Sequence, residues 1–239
     1  MASTDERMNT RTPTPDPATG ERSGADSPGV SGPGGEAAPR APWFLRDRGI
    51  GAFLVVTAVI GFVAAFDLSI EKVKKLENPE HVLSCDFNPF FSCGGVMNFP
   101  QSQIFGFPNQ FIGVAAYVFP LLLGVLLLSR TRIPGWVMVG LNVGLAGGVA
   151  LVMYLFVQSI FVIGIGCPWC MVVWTVTIPM FCLVTAYNLM TGNFGRTLAQ
   201  TGAAQVIGRL WPLVAVVWLV VIGASVVLTF DTFFLTLLG

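Results

Sequence analysis

The chain has 239 residues, of which 54% are hydrophobic and only 11% are charged. A soluble domain of this size normally carries about a quarter charged residues, so the composition argues against a soluble enzyme and favours a membrane-spanning chain. The formal net charge is zero, and no basic excess points to nucleic acid as a partner. Five cysteines are too few for a dense disulfide scaffold.

Residues 1–42 are rich in Pro, Gly, Ser, Thr and charged residues, and they contain no apolar run. Such a segment buries too little apolar surface to offset the entropy lost on ordering, so we predict a disordered cytoplasmic tail. It does not resemble a secretory signal peptide, because no hydrophobic stretch lies near Met1.

Five apolar runs follow, and each is close to the roughly 20 residues that a helix needs to cross a bilayer. They cover residues 49–66, 111–128, 134–166, 167–190 and 211–230. We predict an all-α integral membrane protein with a four-helix transmembrane bundle in residues 43–190. A cytoplasmic loop and a fifth transmembrane helix would occupy residues 191–239. The third run is too long for one untilted span, so it should tilt or project beyond the membrane near residues 161–166.

The distribution of Lys and Arg predicts the orientation. With the N-terminus inside, the cytoplasmic side receives the four arginines of the tail and Arg46, Arg48, Arg130, Arg132, Arg196 and Arg209. The outer side receives only Lys72, Lys74 and Lys75. The loop of residues 67–110 and the start of the fourth helix then face outward. This topology places both closely spaced cysteine pairs on the extracytoplasmic face of the plasma membrane.

Two segments suggest how helices meet the membrane and each other. Apolar residues alternate with lysines around residues 70–76, which predicts a short amphipathic helix on the membrane surface. In the third run, Gly140, Gly144 and Gly148 recur every four residues. This small-residue pattern favours close packing against another helix.

The sequence Cys167-Pro168-Trp169-Cys170 opens the fourth predicted helix. Two cysteines three residues apart lie on one face, where free N–H groups and the helix dipole favour a thiolate. This arrangement predicts a redox-active pair, whereas a zinc site would need two further ligands. Cys182 follows Cys170 by twelve residues, about 18 Å along the helix, so we expect an inert buried thiol.

Cys85 and Cys93 flank seven residues of the outer loop. A structural disulfide is one interpretation, since such bonds are common outside the cytoplasm. The second pair on the same face favours another interpretation, in which the two pairs exchange electrons. Gly94 and Gly95 would give the loop the mobility that a shuttle needs. Zinc bound by all four cysteines is a third interpretation, but we predict no metal site.

A Cys-x7-Cys pair in the first outer loop, followed by Cys-Pro-Trp-Cys at the fourth helix, resembles the vitamin K epoxide reductase family. Residues 94–98 and 105–109 are also similar to that family, and the resemblance covers about residues 45–190. The fifth helix is similar to bacterial, actinobacterial-like members, where it often leads into a fused thioredoxin-like domain. This chain ends at Gly239 without one, so the resemblance implies a separate redox partner.

The resemblance also implies roles for individual residues. The loop shuttle pair and the helix active-site pair would be, in order, Cys85, Cys93, Cys167 and Cys170. Asn109 matches a position that hydrogen-bonds a quinone carbonyl, and Trp174 matches one that lines the quinone pocket. Family members usually have Ser or Thr where this chain has Phe99, so we expect a hydrophobic lid or a substitute in Ser102. We do not extend the resemblance to epoxide reduction.

These observations predict a membrane thiol–disulfide oxidoreductase that supports disulfide-bond formation. It would reoxidise an extracytoplasmic thioredoxin-fold, DsbA-like partner in trans and reduce a membrane quinone of the menaquinone or ubiquinone type. A DsbB-type oxidase is a rival, although its C-x-x-C lies in the first outer loop. A different class is a membrane transporter or structural protein whose cysteines form only structural disulfides.

Overall fold

The computed structural model describes residues 47–88 and 90–230. The tail predicted in residues 1–42 lies outside the described residues. In the described ranges every regular element is helical, and β pairing is confined to two isolated bridges. Five of the helices in these ranges are long and apolar enough to span a membrane. The all-α, multi-pass membrane fold predicted from the sequence is therefore confirmed.

The described elements follow one another as α1 Asp47–Glu77, α2 Cys93–Met97, α3 Asn109–Leu128, α4 Gly135–Val157, α5 Pro168–Thr191, α6 Arg196–Ala199 and α7 Gly202–Thr229. A 3₁₀ turn, Pro100–Gln103, precedes α3. A π-helical segment, Gln158–Ile163, prolongs α4. It ends at Gly164, whose positive φ of 71° reverses the chain toward α5. This extension explains why the third apolar run was too long for one simple span.

The end of α1 differs from the expected surface helix. α1 continues unbroken to Glu77. Near its end the charged residues are the buried ones, since Glu71 and Lys72 are only 4% and 6% exposed. The Lys72 ammonium donates a hydrogen bond to the Met97 carbonyl at 3.1 Å, so this charged face packs against the outer loop. The exposed side carries Ile70, Val73 and Leu76. The prediction of a short amphipathic helix was therefore wrong, because these residues form the last turns of the 31-residue α1.

α5 is the central helix of the bundle and contacts α1, α4 and α7. Its apolar side chains join one buried cluster with α1, α3 and α4 and a second cluster with α4 and α7. Tyr117 and Thr177 share a hydrogen bond of 2.6 Å between α3 and α5, and Asn142 donates to Thr185 at 2.8 Å between α4 and α5. Interhelical bonds of this kind contribute about 1 kcal/mol each. This packing fixes where the start of α5 lies.

Within the part of the chain that the structure describes, the glycine stripe of α4 does not pack against another helix. A Cβ added at Gly140 or Gly144 would meet nothing within 4 Å, and one at Gly148 would meet only a Thr177 methyl group at 3.9 Å. The prediction of close helix–helix packing here was wrong. All three glycines instead line a cavity, whose opposite side is formed by α3.

Candidate active site

The helix pair of cysteines lies on the first turn of α5. Cys167 is the N-cap residue in an extended conformation, and its sulfur accepts the Cys170 N–H at 3.3 Å. Pro168 takes the first helical position, where its missing N–H leaves no hydrogen bond unmade. Both thiols are free, and Cys167 is only 2% exposed. The local sequence thus places two sulfur atoms side by side in a sheltered position.

The loop pair, Cys85 and Cys93, forms a disulfide with its Cα atoms 5.7 Å apart. Cys93 is the first residue of α2, which Ser92 caps by accepting the Gly95 N–H at 2.8 Å. Both bonded cysteines are buried, with 3% and 0% exposure. The structure therefore represents the state in which the loop pair is oxidised and the helix pair is reduced.

Asp86 braces the disulfide loop, and sequence reasoning missed it. Its carboxylate accepts hydrogen bonds from the Ser92 hydroxyl at 2.7 Å and from the N–H groups of Gly94 and Leu83 at 2.9 and 3.3 Å. Burial by itself raises the pKa of Asp86, but these bonds and the nearby Lys75 charge together lower that pKa below its usual value. The available signal was an acidic residue directly after the first cysteine, before a Ser-Cys-Gly sequence.

Main-chain hydrogen bonds join the loop to the segment before α5. The Ser92 N–H donates to the Gly166 carbonyl at 2.9 Å, and the Gly166 N–H donates to the Phe90 carbonyl at 2.7 Å. A cysteine follows directly on each side, since Cys93 succeeds Ser92 and Cys167 succeeds Gly166. All four site cysteines belong to, or pack against, one buried cluster. The two pairs that lie 74 residues apart in the sequence thus meet in the fold.

A cavity of about 680 Å³ begins at this cluster and runs along α3, α4 and α5. Three of the four site cysteines line it, namely Cys93, Cys167 and Cys170, and Cys85 does not. Its walls are mostly apolar, and a few polar side chains lie near the cysteine end. An apolar cavity of this size with few polar groups is typical of a site for a small hydrophobic ligand.

Asn109 lies in the cavity wall at the first position of α3 and is 7% exposed. Its amide donates to the Gln101 carbonyl at 2.7 Å and accepts the Ile104 N–H at 3.1 Å. These bonds clamp the preceding turn to α3. An amide nitrogen carries two hydrogens, so among the described residues Asn109 keeps one further N–H donor.

Two glutamines in the cavity wall were not among the residues predicted from the sequence. Gln101 Oε1 and Gln110 Nε2 are buried, line the cavity and have no hydrogen-bond partner within the described residues. Buried polar atoms normally have partners, so these two are available to a polar ligand group. Their only sequence signal was proximity to Asn109.

The other predicted pocket residues take different positions. Trp174 is 3% exposed, lines the cavity one turn beyond Cys170, and packs edge-on against Phe156 with ring centroids 5.2 Å apart. Phe99 is 38% exposed and does not line the cavity, so its role as a lid stays a prediction. Ser102 does line it, but its hydroxyl donates to main-chain carbonyls.

Cys182 is buried in the cluster between α5 and α7 and does not line the cavity. Its position is compatible with the expected inert thiol, which stays a prediction. His81, the single histidine, lies with Nε2 3.4 Å from the Glu71 carboxylate. It links the start of the outer loop to α1 rather than contacting a cysteine.

Comparison with known proteins agrees with this geometry. No curated protein matches the chain. Residues 52–185, more than half of the chain, match the family model described as the Vitamin K epoxide reductase family. The matched region includes all five cysteines and most of α1 through α5. The chain therefore belongs to the vitamin K epoxide reductase family of membrane oxidoreductases.

Proposed function

We propose that this protein oxidises an extracytoplasmic thioredoxin-fold protein of the DsbA type and transfers the two electrons to a membrane quinone. The observation that carries this proposal is the meeting of two dithiol pairs at one end of an apolar cavity. In a transporter or structural protein, the cysteines would form only structural disulfides. That alternative does not explain why Cys167 and Cys170 are two free, sheltered thiols in a ligand-sized cavity.

Electrons enter through the loop pair. A partner thiolate attacks Cys85, the Cys85–Cys93 bond breaks, and Cys93 leaves as a thiolate. The second partner thiol then releases Cys85, so the partner becomes a disulfide and the loop becomes a dithiol. Cys85 is only 3% exposed, so the loop must open before the partner can reach it.

Electrons leave through the helix pair. Cys170 lies in the first turn of α5 and lines the cavity, so its sulfur is placed to deliver the electron pair to a quinone. Cys167 then closes the Cys167–Cys170 disulfide. Two electrons and two protons pass to the quinone, which departs as the quinol. The reduced loop pair regenerates the helix pair by exchange between Cys93 and Cys167.

The cavity supports a quinone as the acceptor on chemical grounds. A quinone ring offers two carbonyl acceptors, and the free N–H of Asn109 and the unpartnered Gln110 amide are donors in the wall. The aromatic face of Trp174 provides an apolar surface for the ring. Apolar walls along α3 and α4 suit the long hydrocarbon tail that menaquinone and ubiquinone share.

The same proposal assigns the protein to the plasma membrane with its N-terminus in the cytoplasm. At the end of the bundle away from the cysteines, a polar recess is lined by Arg48, Arg130 and Arg132. Positive charge on this end is what the distribution of Lys and Arg predicts for the cytoplasmic side.

The test uses purified protein in vesicles that contain a quinone, mixed with a reduced DsbA-type protein. Partner thiols and quinol are both measured, and two thiols should disappear for each quinol formed. The control is a Cys167→Ser/Cys170→Ser variant, which should form no quinol. If the unmodified protein consumes no partner thiol in the presence of quinone, the proposal fails.

A further inference from the structure

The contact between loop and α5 depends on one residue without a side chain. In the parallel bridge, Gly166 lies opposite Phe91 and bonds to the residues on either side of it. The next residue along, Cys167, then comes opposite Ser92, one position before Cys93. The register of this short bridge therefore sets how the two cysteine pairs approach each other.

Gly166 is required here for space rather than for its backbone conformation. It is not among the described glycines with positive φ. A Cβ at this position would lie 2.9 Å from ring atoms of Phe91 and 3.0 Å from the Met171 methyl group. The Phe91 ring packs against Phe230, with centroids 5.3 Å apart, so it cannot swing away freely. A methyl group at position 166 therefore forces a shift at this contact, and because the Phe91 ring is held against Phe230, we expect the loop to move away from α5.

We propose that Gly166 is a positioning residue for electron transfer between the two cysteine pairs. This inference rests on the proposed function. In the transfer step, the Cys93 thiolate attacks Cys167, the Cys93–Cys167 bond forms, and the Cys167–Cys170 bond breaks with Cys170 leaving as a thiolate. The Cys85 thiolate then attacks Cys93, closes the loop disulfide and frees Cys167. Two electrons and two protons move from the loop pair to the helix pair.

The step between pairs is sensitive to position in a way that the steps within each pair are not. Misplacing reacting groups by about 1 Å lowers a rate by about 100-fold. Cys85 and Cys93 are held together by Asp86 within the loop, and Cys167 and Cys170 share one helical turn. Separating the loop from α5 therefore affects transfer and spares both local disulfides.

The test measures formation of the Cys93–Cys167 bridge directly. In a background with Cys85→Ser, Cys170→Ser and Cys182→Ala, the membrane-embedded protein is treated with a thiol oxidant, and the bridge is quantified by mass spectrometry. Gly166→Ala should slow bridge formation by about tenfold or more. Gly147→Ala is the matched control, because its added Cβ meets nothing within 4 Å and it does not line the cavity. An unchanged rate in Gly166→Ala overturns the proposal.

A second measurement separates positioning from folding. With Cys167, Cys170 and Cys182 replaced instead, Gly166→Ala should form the Cys85–Cys93 disulfide at the same rate as the protein that keeps Gly166. Equal slowing of both bridges overturns the proposal.

A rescue variant adds Phe91→Ala to Gly166→Ala. It removes the clashing ring and should restore the Cys93–Cys167 bridge, and failure to restore it also counts against the inference. If the bridge forms normally in the triple-substituted background with Gly166 intact, but the unmodified protein forms no quinol, the proposed function fails while this inference stands.

Discussion

At the scale of residues, Asp86 braces the loop pair of cysteines through hydrogen bonds, and Gly166 joins that loop to the segment before α5. Cysteine spacing is a local property, so both pairs were visible without a structure. Asp86 and Gly166 act through hydrogen bonds and close contacts with residues that only the fold brings near, such as Gly166 with Phe90. No local pattern encodes those contacts, which is why their roles emerged only from the structure.

The order of the cysteines gives the first prediction. Cys93→Ser, mixed with the oxidised partner, should leave Cys85 joined to it: the Cys85 thiolate attacks the partner disulfide, one partner thiol is released, and no Cys93 thiol remains to displace the partner. Cys85→Ser should instead accumulate a Cys93–Cys167 bridge and, when a thiol oxidant is supplied, more of it if Cys170 is also replaced. Non-reducing gels and mass spectrometry would identify the adducts, with Cys182→Ala as the near-normal control. A partner adduct carried by Cys167 would reverse the order.

Asp86 gives a prediction about pH. Because its pKa is lowered in the folded chain, the ionised carboxylate stabilises the loop at every pH above the usual Asp value. That contribution is lost only as the pH falls through the lowered value. Asp86→Asn removes the charge of the acceptor, and a hydrogen bond to a charged group contributes about 1.5 kcal/mol. The bond from the Gly94 N–H should therefore weaken, and this amide should exchange its hydrogen about tenfold faster near neutral pH. Unchanged exchange, measured by mass spectrometry, would show that the carboxylate charge does not hold the loop.

At the scale of helices, the sequence predicted the spans better than their ends. α1 reaches Glu77 and α7 begins at Gly202, although the apolar runs were predicted to end at residue 66 and to begin at residue 211. Charged residues interrupt an apolar run without ending a helix when they find partners, as Lys72 does at the Met97 carbonyl. The glycine stripe was misread because spacing alone does not show whether a glycine faces a helix or a cavity.

The cavity wall on α4 gives the third prediction. Gly144→Leu would place a branched side chain in space that is empty and that we assign to the quinone tail. KM for a long-tailed quinone should rise by about tenfold, the effect of roughly 1.4 kcal/mol of overpacking. A short-tailed analogue should be reduced with nearly unchanged KM. Gly147→Leu, outside the cavity, is the control. An equal change of KM in both variants would contradict the assignment of the quinone tail to this part of the cavity.

At the scale of the whole molecule, the fold class was predictable because the bilayer restricts spanning segments to a few designs. Orientation is the prediction that belongs here. Reporter fusions at Thr131 and Thr197 should be cytoplasmic, and one at Gly239 should be external. An external signal at Thr131 would invert the protein and move both cysteine pairs to the other side. The rest of the site depended on contacts between distant segments, which hydropathy does not contain.

The wall of the cavity also has a consequence for kinetics. Phe119, Leu122 and Trp136 line the cavity, yet they are 65%, 56% and 76% exposed on the membrane-spanning surface. The cavity wall between α3 and α4 is thus exposed on the face that we assign to lipid. An acceptor that enters there arrives by diffusion in the plane of the bilayer. The turnover rate should then depend on the mole fraction of quinone among the lipids. Adding quinone-free lipid at a fixed total amount of quinone should lower the turnover rate, just as removing quinone would.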